Sequence, residues 1–299
     1  IGWQQHSCLD TFTPISFNNR QNPASDFDVI RLEELRGRTY SDHSPMDFHR
    51  VQFYIIMLVE AGQFSHFLDF TPVVCQPGTI VTIRKDQVHR FSLTEDARGE
   101  LLLFTREFLV SFLSEAEALR AMQVFNGFLA SPWVRPDSDE WNRVLGSVER
   151  IRHEYLNVWD EYSRVVIRNE LQILIILLLR QKYASQPLDY LDRRVRTFIR
   201  FQEMVEEQVH ITRKVADYAL QLGVSPKTLN HAVHRMVRKS AKELIVEIGI
   251  LRLKRLLINT DLSVKEIAYS SGFSDATNVY KFFRNATGET PESFRSLNR

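Results

Sequence analysis

At 299 residues the chain is long enough for about two domains, each with its own core. A hydrophobic content of 44% with 25% charged residues is that of a folded globular protein and excludes a disordered or fibrous one. The longest apolar run, Ile173–Leu179, falls far short of the ~20 residues that span a bilayer. The net charge of +1 hides an asymmetry: from Gln186 onward there are 19 Lys and Arg against 13 Asp and Glu, which leaves the rest of the chain at −5. A basic C-terminal third on an acidic body fits phosphate binding confined to that third. Cys8 and Cys75 have no metal-ligand spacing and fit a reduced, cytosolic chain, and nothing reads as a signal peptide.

Up to about Thr105 the pattern is β. Short runs (Phe12–Phe17, Asp28–Leu32, Val51–Val59, Phe64–Phe70, Thr79–Ile83, Glu100–Phe104) are punctuated by Asn18-Asn19, Ala61-Gly62 and Gln76-Pro77-Gly78. Many short strands of this kind predict a sandwich or barrel.

Next, Glu107–Leu129 is patterned for a helix, which Pro132 and Pro136 end. Asp137 and Ser138 then cap a long amphipathic helix with Trp141, Val144, Val148, Ile151 and Tyr155 on one face. A second helix over about Glu161–Tyr183 is dense in Ile and Leu, so that surface must be buried, in the body of the protein or in a partner. Residues 106–185 are thus a helical region that packs in the body of the protein or against a partner. Ala184-Ser-Gln-Pro-Leu188 reads as the linker, centred on 186–190, and 191–299 as a separate all-α domain.

That last domain contains one pattern twice. Tyr218-Ala-Leu-Gln-Leu-Gly-Val-Ser225 matches Ile267-Ala-Tyr-Ser-Ser-Gly-Phe-Ser274 at an offset of 49. Beyond the serine the offset becomes 50: Val233 answers Phe283, Arg238 answers Gly288, Ala241 answers Pro291 and Leu244 answers Phe294. The unit fits a helix-turn-helix, over about 212–237 and 264–286. A small Ala lets two helices approach, Gly suits a left-handed turn, and the Ser caps the next helix. Pro226 sits at the first helical position, where a missing N–H is harmless. The second helix of each copy turns apolar residues inward and polar ones outward: Ser225, Lys227, Thr228, Asn230, His231, His234 and Arg235 in copy one, Thr277, Asn278, Lys281 and Arg284 in copy two. Such side chains hydrogen-bond base edges and phosphates from a helix in a major groove. The helix expected over Lys242–Asn259 would hold the two copies apart, about one DNA turn or ~34 Å if rigid.

Residues from about Val195 to Arg299 resemble the DNA-binding domain of the AraC/XylS family of bacterial transcription regulators. The resemblance is tightest in Asp261-Leu-Ser-Val-Lys-Glu-Ile-Ala268, Gly272-Phe-Ser-Asp275 and Phe283-Arg-Asn-Ala-Thr-Gly-Glu-Thr-Pro291 followed by Phe294-Arg295. It implies base readers at Lys227, Asn230 and His231 and at Thr277, Asn278 and Lys281, with Arg284 on phosphate. Arg238 departs from the family's Gly, Gly249 from its Arg, and Val233 and Val279 from its Phe. Phe48-His-Arg50, Phe53-Tyr54, Pro77-Gly78 and Gln87-Val-His-Arg-Phe91 look like the cupin-type sensory domain of the same family, over 1–105.

The resulting fold class is α+β multidomain: a cupin-like β-barrel or sandwich with a helical dimerisation region, then an all-α domain with two helix-turn-helix motifs. A small barrel can enclose one ligand, and Arg50, Phe53, Tyr54, Arg84, His89 and Arg90 are the candidates to line a small organic effector. A metal cupin needs a His-x-His pair, a carboxylate and a later His. Here Val51 stands two after His49 and Ile55-Ile56-Met57 where the carboxylate is expected, so no metal site or other cofactor is expected. The leading reading is a bacterial, cytoplasmic, effector-controlled regulator. It would be a homodimer on double-stranded promoter DNA, contacting RNA polymerase if it activates. A regulator without a small ligand is the alternative, and a metal-dependent cupin enzyme with a DNA-binding tail the remote one.

Overall fold

The computed structural model describes residues 15–19, 22, 25–36, 44–184 and 192–298. Those up to 184 form one compact unit and those from 192 a second. The linker expected at 186–190, the start of the Phe12–Phe17 run and Cys8 lie outside the described residues.

The described residues of the first unit form nine antiparallel strands: β1 (Phe27–Arg31), β2 (His49–Arg50), β3 (Tyr54–Ala61), β4 (Phe64–Leu68), β5 (Thr71–Cys75), β6 (Ile80–Ile83), β7 (Val88–Ser92), β8 (Arg98–Phe104) and β9 (Trp133–Val134). They form a five-stranded sheet in the order β1-β8-β3-β6-β9 and a four-stranded sheet in the order β2-β7-β4-β5. Strand side chains alternate between faces. Ile55, Met57 and Val59 of β3 therefore enter the core between the sheets with Phe64, Leu68 and Phe91. Ile56 and Leu58 point the other way, into a second core under the helices. A strand covered on both faces reads as an unbroken apolar run, as Tyr54–Val59 does.

The helices of this unit are α1 (Arg106–Val110), α2 (Glu115–Met122), α3 (Ser138–His153) and α4 (Ser163–Lys182). The single helix expected from Glu107 to Leu129 is divided: Ser114 starts a new one through a capping box with Glu117. Val148, Ile151, Ile167, Leu171, Leu174 and Leu178 of α3 and α4 share a core with Ile56, Leu58 and Leu102. The helices thus cover the outer face of the larger sheet. Tyr155, just past α3, ties them to it by donating to Asp28 at 2.8 Å.

The second unit is α5 (Arg193–Gln208), α6 (Val215–Gln221), α7 (Pro226–Val237), α8 (Ala241–Asn259), α9 (Val264–Ser270), α10 (Ala276–Thr287) and α11 (Pro291–Asn298). The repeat is structural. α6 and α9 start 49 residues apart, α7 and α10 50 apart, and α7 and α10 both have 12 residues. Ser225 caps α7 through the Thr228 N–H, but α10 is capped by Asp275 rather than by Ser274 as the repeat suggested. The residue inserted after the serine became the cap. Arg238 closes α7 in the left-handed conformation (φ 57°), and Gly288 closes α10 in the same way (φ 82°).

α8 is the axis of this unit, with Leu244, Ile245, Ile248, Leu253, Leu257 and Ile258 all buried. Gly249 stands where two side chains crowd the helix: an added Cβ would lie 3.3 Å from Val209 and 3.4 Å from Phe282. The copies also meet directly. Gly272 sits at φ +76°, and a Cβ there would come within 1.9 Å of the His210 carbonyl oxygen. Arg213 donates to the Ser271 carbonyl, its guanidinium lying 3.7 Å from the Phe273 ring centroid. Gly223, the matching turn residue of copy one, has the same left-handed backbone and nothing within 4 Å.

These surroundings predict unequal costs at matched positions. Gly223→Ala should destabilise by about 1 kcal/mol, the cost of a left-handed non-glycine residue. Gly272→Ala should cost roughly 3 kcal/mol or more, because backbone must also move. Arg238→Gly should stabilise by about 0.5–1 kcal/mol by relieving the same strain. Urea denaturation of the three variants checks all three signs.

Candidate nucleic-acid interface and effector site

On α7 and α10 the buried side is short and the solvent side long: Leu229, Ala232 and Val233 of α7 and Val279 and Phe283 of α10 face the core. Helical spacing then turns His231 and His234 outward on α7, and Lys281 and Arg284 outward on α10, at matching positions. All four are exposed, as are Lys227 and Asn278. Among the described residues no side-chain hydrogen bond or ion pair engages Lys227, His231, His234, Lys281 or Arg284. Arg235 is exposed and lies 3.6 Å from Asp192. Asn278 makes a long bond of 3.4 Å to Ser274.

The other expected readers are engaged. Asn230 donates to the Pro226 carbonyl at 3.1 Å and accepts from the Ala241 N–H at 2.9 Å, so half of its amide's hydrogen-bonding capacity is spent on α7 and on the start of α8. Ser225 and Thr228 pair their hydroxyls at 2.8 Å in the cap of α7. Asp275 occupies the same place on α10, and hydrogen bonds from the Thr277 side chain and N–H hold its carboxyl low. Outward spacing alone does not separate capping groups from reading groups. The insertion at Asp275 marks where the second helix of copy two begins, but no such signal marks Asn230 or Thr228 in copy one.

The six residues expected to line an effector site are not brought together. Phe53 lies in the core between the sheets. Its neighbour Tyr54 points to the helix side, 4.9 Å from Phe125, as strand alternation requires. Arg90 is clamped between Phe48 and Phe67, 4.4 Å from each ring centroid. Arg50 faces Asp86 at 3.7 Å, and Arg84 lies 6.0 Å from the Phe128 ring. Of the arginine and histidine candidates, His89 is the one that faces the interior with Phe53, and it has company there. His49 packs 4.1 Å from it and His66 5.5 Å, centroid to centroid, with Phe91 4.7 Å from His66. The pairing His49↔His89 and His66↔Phe91 across β2, β7 and β4 puts these rings on one face.

His66 and His89 are both 0% exposed, and all four of their ring nitrogens lack a hydrogen-bond partner. Burial, and secondarily the charge of His49, pushes His66 down to about 3 and His89 well below its ordinary range. Both are therefore neutral at pH 7. Among the described residues no group of three His, Cys, Asp or Glu is placed to hold a metal ion. His66 was legible in the sequence: in Phe64-Ser-His-Phe-Leu68 the alternation sets it with Phe64 and Leu68 on the buried face.

Comparison with known proteins matches residues 33–160 to an AraC-like ligand binding domain and residues 218–296 to a helix-turn-helix domain. The HTH-type transcriptional activator RhaS of Escherichia fergusonii is 24% identical over 273 residues, covering 91% of this chain and 94% of its own. RhaS of an Enterobacter species is 23% identical, covering 83% and 86%. ToxT from Vibrio cholerae has a similar structure over 91% of this chain and 98% of its own, at 13% identity and a TM-score of 0.42. Among the described residues no helix is long and apolar enough to cross a membrane. With a ligand-binding unit before a doubled helix-turn-helix unit, the chain belongs to the AraC/XylS family of transcription regulators and is a DNA-binding regulator, not an enzyme.

Proposed function

We propose that α7 and α10 enter successive major-groove segments on one face of double-stranded promoter DNA. The observation that carries this is the matched set of outward side chains that no hydrogen bond or ion pair engages, Lys281 with Arg284 on α10 and the imidazoles of His231 with His234 at the same positions of α7, on two helices of equal length. Lys227, His231, Asn278 and Lys281 read base edges, while His234, Arg235 and Arg284 contact phosphate. Ser225, Thr228, Asn230 and Thr277 set the ends of the helices that carry the readers. The chain acts in the bacterial cytoplasm, and contact with RNA polymerase follows if it activates, as its RhaS relatives are named to do. Lys281→Ala should lower affinity for a selected operator by ~1–3 kcal/mol while leaving random DNA little changed. Arg284→Ala should weaken both alike and reduce the salt slope by about one. Equal losses on both DNAs for Lys281→Ala, measured by salt-titrated fluorescence anisotropy, would contradict its role.

The effector, on this reading, is a small neutral organic molecule held between the sheets, with hydroxyl or carbonyl groups on His66 and His89. Two uncharged imidazoles offer two N–H donors and two acceptors, which suit such groups better than an anion. The engagement of Arg50, Arg84 and Arg90 supports the same choice. A ligand at 100 times its dissociation constant should add ~2.7 kcal/mol to the stability of the full chain. His66→Phe should remove that gain. No stabilisation by any hydroxylated or carbonyl compound in a metabolite panel would favour a regulator without a small ligand.

The pH dependence has a definite sign. A His whose folded value is lowered costs stability as pH falls from its unfolded value, near ~6.5, toward the folded one. With His66 at about 3, stability should therefore fall across that acid window. The His66→Phe variant should lose less over the same range, read by urea denaturation at a series of pH values.

A further inference from the structure

The second unit holds one side chain in a backbone region that side chains avoid. Its left-handed residues, among those described, are Gly223, Gly272, Gly288 and Arg238. Arg238 ends α7 at φ 57° and ψ 23°, where Gly288 ends α10 at the matching place of the repeat. Glycine reaches this conformation freely, and a residue with a Cβ is strained there. No local contact offsets the strain. Arg238 is exposed, and among the described residues no side-chain hydrogen bond, ion pair or ring contact engages its guanidinium. The cations beside it differ: Arg235 faces Asp192 at 3.6 Å, and Lys239 pairs with Glu247 at 2.6 Å. A strained residue whose charge does nothing for the fold points to a task outside it.

Its place on α7 says which task. The Arg238 N–H still closes the last turn on the His234 carbonyl at 3.0 Å, so its Cα follows the path of the helix. It stands seven residues, just under two turns, beyond His231, and so in line with His231 and His234 on the outward face. Lys227 stands at the far end of that face, about 16 Å away at 1.5 Å per residue. A recognition helix reads base edges with its first turns, and its far end meets the sugar-phosphate strand. A guanidinium presents paired N–H donors that match a phosphate. α10 ends at Gly288 with no side chain, so only copy one can make this contact.

We propose that Arg238 binds a DNA phosphate at the end of α7, and that its left-handed strain is kept because the contact strengthens binding. The inference rests on α7 lying in the major groove. It adds a phosphate contact found in one copy of the repeat, and it sets DNA affinity against fold stability at a single residue.

The test uses the full chain with an operator selected for it and random DNA of equal length, in salt-titrated fluorescence anisotropy and in urea denaturation. Arg238→Asn removes the charge while keeping a residue that tolerates the left-handed backbone. Arg238→Gly removes both charge and strain. Both should bind either DNA roughly fivefold to tenfold more weakly near 0.1 M salt, with a salt slope lower by about one. Arg238→Lys should recover most of that slope, because the cation returns. Arg238→Gly should meanwhile unfold at a higher urea concentration than the parent chain, so that its weaker binding is no folding defect. Unchanged affinity and slope in the Asn and Gly variants, with Arg284→Ala still lowering the slope, would overturn the inference and leave the groove reading intact. If Arg284→Ala and Lys281→Ala were without effect as well, the groove reading would fall and the inference with it. A less stable Arg238→Gly with unchanged DNA binding would assign the charge to the negative end of the α7 dipole, and would also overturn the inference.

Discussion

The DNA-binding unit depends on one crowded contact. At Gly272 the turn of the second helix-turn-helix lies against the His210 carbonyl so closely that no Cβ fits, and Arg213 from the same stretch holds Ser271 and covers Phe273. Only glycine provides both the left-handed backbone and the missing side chain. Through this contact and the core around α8, the two motifs are one body. α8 is accordingly more than a spacer. Its buried side chains meet both copies, and Gly249 lets Val209 and Phe282 approach its backbone. Rigid recognition helices lose little freedom on docking, so their orientation does not have to be fixed at the expense of binding energy.

The ligand-binding unit is organised on different terms. β3 separates two cores, one between the sheets and one beneath the helices, so its side chains alternate between them. Neutral imidazoles lie in the first, and α3 and the inner face of α4 close the second. The unbroken apolar run of β3 thus has a plain physical cause: the strand has two faces to bury.

Much of this was legible in the sequence, because the repeat is written in residues of narrow backbone role. Ala219 and Ala268, Gly223 and Gly272, and the caps mark the same turns, and the change of offset from 49 to 50 falls where the added Asp275 becomes the cap. What was not legible is where polar side chains spend their hydrogen bonds. Asn230 and Lys227 both face outward by spacing, yet only Asn230 is tied to the Ala241 N–H, a contact set by the start of α8. In the first unit the arginines drew attention as charges, but Arg90 is held by two aromatic rings that lie far apart in sequence. β5 carries a weak strand signal because Pro72 follows its first residue in Thr71-Pro-Val-Val-Cys75, while the edge of the four-stranded sheet tolerates a proline.

The rigidity of the paired helix-turn-helix unit is tested most directly on DNA. An operator selected from random sequence with the full chain can be remade with one or two base pairs inserted between the segments read by α7 and α10. A rigid pair loses one recognition helix on either insertion, so affinity should fall to that of DNA carrying a single segment. Retention of full affinity on the lengthened operators would mean that the two motifs move independently, and that the contact at Gly272 does not hold them as one body.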